Sequence, residues 1–104
     1  MENNAKEIAD IVIQQLGGIR KLHAMINAKN FSYNSEGRLI FEFSGCKKCS
    51  VVGIQVNWKD LYDVVFYKRQ RKTYELLEVG KFADVYNTDL IRTFEEFTGL
   101  YLSL

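Results

Sequence analysis

Leu61-Tyr62-Asp63-Val64-Val65-Phe66-Tyr67-Lys68-Arg69-Gln70-Arg71-Lys72-Thr73-Tyr74-Glu75-Leu76-Leu77-Glu78-Val79 is the stretch on which the fold turns. Its first seven residues are rich in β-branched and aromatic side chains, the composition of a strand. Residues 73–79 resume a partly alternating pattern. Between the two arms stand four cations within five residues: Lys68, Arg69, Arg71 and Lys72. Strand-like arms around a polar turn predict a β-hairpin with a cationic tip.

The same periodicity extends upstream. Leu39, Phe41 and Phe43 alternate with Arg38, Ile40, Glu42 and Ser44. Val52, Ile54, Val56 and Trp58 alternate with Val51, Gly53, Gln55 and Asn57. A period of two predicts half-buried strands with one apolar face. Phe31-Ser32-Tyr33 reads as a shorter strand and Asn34-Ser35-Glu36-Gly37 as a turn.

Helical spacing frames these strands. Asn4 and Glu7 suit a capping box, and Ile8, Ile11, Val12 and Leu16 fall on one face of the helix that follows. Gly17-Gly18 suits its C-terminal cap, where a left-handed residue is needed. Ile19, Leu22 and Ile26 give a second, shorter stripe. Tyr86, Leu90, Phe94 and Phe97 give a last helix, with Asp84, Asn87 and Asp89 at its start and Gly99 at its end. The tail Leu100, Tyr101, Leu102 and Leu104 is expected to dock on the core. The prediction is one α+β domain over residues 1–104: two N-terminal helices, an antiparallel meander of about five strands, and a C-terminal helix packed on the sheet.

Net charge is +1 over 104 residues, so bulk charge selects no class of partner. Its distribution is uneven. Residues 38–72 carry eight cations against three acids, and residues 73–104 two cations against six acids. One basic and one acidic face would follow, or internal pairing, or head-to-tail association of copies. No N-terminal cationic-then-apolar segment and no long apolar run stand in the sequence, so neither a secretory signal nor a membrane span is expected. Two cysteines without a signal point to a cytoplasmic setting, in a host cell on the reading reached below.

Catalytic and metal signatures are weak. Cys46-Lys47-Lys48-Cys49 has the spacing of half a zinc site, but a structural zinc needs four ligands. Cys46 and Cys49 would therefore hold metal only between two copies, and an ordinary turn is the simpler reading. A disulfide or redox pair is the remaining alternative. His23 is the sole histidine and has no nucleophile motif beside it, so a surface or boundary role is expected. Asp60 and Asp63 lie three apart near a turn, which places them on opposite faces; Asp60 is expected to cap that turn. Arg20 and Lys21 follow Gly17-Gly18 too closely for a phosphate loop. No cofactor is expected, and no enzymatic activity.

Gln15-Leu16-Gly17-Gly18, Met25, Ala28-Lys29-Asn30-Phe31, Asp60-Leu61-Tyr62-Asp63 and Thr98-Gly99-Leu100-Tyr101-Leu102-Ser103-Leu104 together resemble a family of small, uncharacterised phage and prophage proteins. The likeness would run over nearly the whole chain. Ile26-Asn27 departs from the Thr-Gly pair expected there, and the Cys46–Cys49 loop is not a feature of that pattern. The resemblance implies a phage or mobile-element origin and no particular activity.

Taken together, these residues predict a non-enzymatic accessory protein acting through protein–protein contacts with a host or phage protein. Its contact surfaces would be the basic hairpin and the acidic last helix. The alternative is nucleic-acid binding, with Lys68, Arg69, Arg71 and Lys72 on phosphates of DNA or RNA and Tyr62, Tyr67 or Tyr74 stacking on a base. A homo-oligomer is compatible with either.

Overall fold

A computed structural model describes residues 4–102. Its elements run α1 (Asn4–Gln15), α2 (Ile19–Ile26), β1 (Lys29–Tyr33), β2 (Leu39–Glu42), β3 (Val51–Val56), β4 (Tyr62–Arg69), β5 (Leu76–Val85), a single 3-10 turn (Asn87–Asp89) and α3 (Leu90–Thr98). The five strands pair in sequence order, each antiparallel to the next. This is the α+β meander the alternating patterns predict.

Alternation sorts the strand residues onto two faces. Leu39 and Phe41 of β2, Val52 and Ile54 of β3, and Tyr62, Val64 and Phe66 of β4 share one buried cluster with Val12, Leu16, Leu22, Ile26, Leu90 and Phe94 of the helices. Helices and sheet thus enclose a common core. The seven phenylalanines form one chain of rings that runs through this core and ends at Phe82, which is exposed. Phe31 stacks on Phe41 at 4.9 Å; Phe41 meets Phe43, and Phe43 meets Phe94 edge-on at 5.1 Å. Phe94 touches Phe66, which stacks on Phe97 at 4.4 Å, and Phe97 reaches Phe82. Gly80 makes the last approach possible, because a Cβ there would stand 2.6 Å from the Phe97 ring.

The face away from that cluster is covered by side chains. Arg38 lies across Gly53, where a Cβ would meet its guanidinium at 2.7 Å, and donates a 2.6 Å hydrogen bond to the Tyr67 hydroxyl. Val51 and Val65 are buried, at 1% and 5% exposure.

Several details differ from the sequence reading. Ile11 and Ile19 are each 53% exposed, so the buried stripe of α1 is Ala5, Ala9 and Val12, continued by Leu16 just past its end, and that of α2 is Leu22 and Ile26. Alanines make up part of that stripe, a signal that a pattern of large hydrophobic residues overlooks. Trp58 is 88% exposed because β3 ends at Val56 and the chain turns before it. That turn is capped by Asn57, whose Oδ1 accepts from the Lys59 and Leu61 amides, and not by Asp60, which adopts a left-handed φ of 61°. Tyr86 precedes the last helix and is exposed, while Asp84 belongs to β5. Gly17-Gly18 and Gly99 end their helices with positive φ as expected. Leu102 docks fully buried, whereas Tyr101 points outward; Leu104 and the capping role of the Asn4 side chain lie outside the described residues.

Phe94 joins the two halves of the ring chain and is 2% exposed. Phe94→Ala is expected to destabilise the chain by about 3–5 kcal/mol, from lost burial plus a residual cavity. Urea unfolding followed by circular dichroism measures it, as a lower midpoint with unchanged slope.

Candidate functional site

An antiparallel meander sends alternate turns to opposite ends of its sheet. The β2–β3 connection, 43–50, and the β4–β5 connection, 70–75, therefore share one end. A backbone bond from the Ser50 amide to the Tyr67 carbonyl, 2.9 Å, ties the two. Both connections are basic. Lys47 from the first joins Lys68, Arg69, Gln70, Arg71 and Lys72 from the second around a shallow recess of about 530 Å³.

Local hydrogen bonds hold the tip. The Gln70 amide donates to the Glu75 carbonyl at 2.8 Å, and the Tyr74 amide to the Gln70 carbonyl at 2.9 Å. Tyr74 takes a left-handed φ of 59° to close this turn, and its ring is 72% exposed. Lys68 to Glu75 are all exposed. Arg69 is the exception to free projection: its guanidinium pairs with Glu42 of β2 at 3.0 Å. Among the described residues, Lys68, Arg71 and Lys72 make no ion pair. The tip can thus offer several unneutralised cations to one anionic chain, with Arg69 held against the sheet.

Of the three tyrosines expected to stack, Tyr74 shares the exposed turn with the cations. Tyr62 is 6% exposed; its hydroxyl donates to Gln15 Oε1 of α1, and burial pushes that phenol above its ordinary pKa. Tyr67 is half-buried and its hydroxyl accepts from Arg38. Both are structural, because their strand positions face packed surfaces. The acidic last helix is likewise partly committed. Asp89 pairs with Arg92 at 2.8 Å, and a Glu95 carboxylate oxygen accepts from the Leu102 amide at 2.9 Å, pinning the tail.

Lys47 was the residue that reasoning along the chain missed. The signal was present, since strand count alone brings the Cys46–Cys49 loop to the same end as the hairpin tip. Its neighbour Lys48 turns the other way, with Nζ 4.4 Å above the Phe97 ring.

The remaining candidates separate. Cys46 and Cys49 place their sulfurs 3.4 Å apart as free thiols. Cys49 is 1% exposed, and burial, with a contribution from Cys46, pushes its thiol up to about 12. Burial sets that thiol back from the surface that a second copy would reach. His23 is exposed, its Nδ1 3.4 Å from the Ala28 carbonyl oxygen. Asp63 and Asp84, instead of Asp60, come together: Asn57 Nδ2 donates to both, at 3.1 and 2.8 Å. Lys59 pairs with Asp84 at 3.0 Å and, with help from Asn57, holds that carboxyl below its usual range. This clasp fixes the end of the β4–β5 hairpin opposite the tip. Among the described residues no group of three or more His, Cys, Asp or Glu is arranged to hold a metal ion. No helix among them is long and apolar enough to cross a membrane.

Comparison with protein families, with curated proteins and with solved structures finds no match.

The two thiols should react unequally. Treated with iodoacetamide at pH 8, the native chain is expected to gain one adduct, at Cys46, because the Cys49 thiol stays buried and protonated. Peptide mass spectrometry reads the sites, and a second adduct before denaturation would show that the loop opens.

Proposed function

We propose that the chain is a non-enzymatic accessory binding module, of the phage or mobile-element origin that its residue pattern suggests. On this reading it engages a polyanion, foremost the phosphate backbone of nucleic acid, through its hairpin tip. The observation that carries the reading is the gathering of Lys47, Lys68, Arg69, Arg71 and Lys72 around one recess, on a turn that also exposes Tyr74. Cations that track phosphates next to an open aromatic face suit single-stranded nucleic acid, where unpaired bases are free to stack. Recognition would be largely indifferent to sequence, since phosphate contacts position a ligand without reading its bases. A protein partner is the second reading, favoured by the exposed apolar residues of β5.

Fluorescence anisotropy with labelled single-stranded DNA, duplex DNA and RNA tests the first reading. Binding at low salt should weaken as salt rises, with a log–log slope of roughly −3 for four phosphate contacts on single strands. The triple variant Lys68→Glu, Arg71→Glu, Lys72→Glu should abolish it. Tyr74→Ala should cost about 1–3 kcal/mol on single strands and little on duplex. Absence of binding at low salt, or a charge-reversed variant that binds like the parent, overturns the proposal.

A further inference from the structure

The two edges of the sheet are unlike. β1 has five residues, four of them exposed, and only Phe31 turns toward the core. It is short, polar and irregular in register, as protected edges are. β5 has ten residues and lies at the opposite end of the strand order. Leu76, Leu77, Val79 and Phe82 along it are between 37% and 45% exposed. Among the described residues, no backbone group of 76–83 bonds outside its pairing with β4. A long apolar strand with a free edge is a template for another strand.

The register of β5 indicates which strand. Phe66 opposes Gly80 and Tyr67 opposes Glu78, so Val79 is an extra, bulged residue. The bulge shifts the alternation by one. Leu77 and Phe82 consequently share the helix-side face although they are five apart, and Glu78 and Lys81 share the other face although they are three apart. Residues opposed across an antiparallel pair must lie on the same face. A two-fold axis between Val79 and Gly80 meets that condition. It sets Leu77 opposite Phe82 and Glu78 opposite Lys81, each twice. Axes through Val79 or through Gly80 fail, because they oppose Leu77 to Lys81 or Glu78 to Phe82. One register therefore matches apolar to apolar on one face and acid to base on the other.

We propose that β5 is the docking surface for a second copy of this chain, paired antiparallel through its free edge about an axis between Val79 and Gly80. The product is a continuous ten-stranded sheet with C2 symmetry, which removes both long edges at once. Cross-strand pairs of Leu77 with Phe82 and of Glu78 with Lys81 select this register over its neighbours. The two cationic tips then project from opposite ends of the paired strands.

Sedimentation velocity on the full chain across a concentration series tests this. The parent should sediment as a dimer of twice 12.1 kDa that dissociates on dilution. Glu78→Lys and Lys81→Glu each set like charges against one another twice, and each should weaken the dimer roughly tenfold or more. Mixing these two single variants should restore association as a heterodimer, and the double swap E78K/K81E should restore it within one chain. Circular dichroism and melting temperature, unchanged across the set, separate lost pairing from lost folding. A parent that stays monomeric at about 100 μM, a dimer indifferent to both single variants, or a failure of the swap and the mixture to rescue would each overturn the proposal.

Discussion

Phe66 is the hinge of the packing. It sits on the central part of β4, stacks on Phe97, touches Phe94 and meets Phe82. Strand and helix are thereby joined through aromatic faces, and the ring chain continues through Phe43 and Phe41 to Phe31 at the far edge. Aromatic rings bury large areas and prefer offset or edge-on contacts, so such a chain fixes orientation as well as distance. Position of the last helix, closure over Gly80 and exposure of Phe82 all follow from where these rings sit. Without proline or a disulfide to constrain the backbone, close packing carries this burden.

The cationic end is a by-product of that order. Neighbour-to-neighbour pairing brings two basic connections together, and the Ser50–Tyr67 backbone bond keeps them in step. Tyr67 links both faces of the problem: its carbonyl holds the β2–β3 connection, while its hydroxyl receives Arg38 across Gly53. Arg69 is anchored to Glu42, so the recess has one side chain tied to the sheet, while Lys68, Arg71 and Lys72 make no ion pair among the described residues.

Element order and the inward faces of β2, β3 and β4 were legible because alternation of large apolar residues is a direct image of burial. The cationic tip was legible for the same reason, as an interruption between two strands. Exposed Ile11, Ile19 and Trp58 were not, since an apolar residue at the margin of an element carries no mark of whether a neighbour covers it. The roles of Tyr62 and Tyr67 depended on partners 47 and 29 residues away, Gln15 and Arg38, which local pattern cannot supply. Bulges escaped for a related reason. The extra residue at Val79 changes which side chains share a face without altering composition at all.

Strand order also has a kinetic side. Each strand of this sheet needs only the segment beside it in the chain, so pairing closes short loops and incurs little chain entropy. Hairpins can therefore zip outward from any of the four turns, with no crossover to await. The distant encounters fall to the helices, as when α1 brings Gln15 to Tyr62. Such a topology separates the short-range pairing of strands from the long-range encounters that bring the helices over the apolar face.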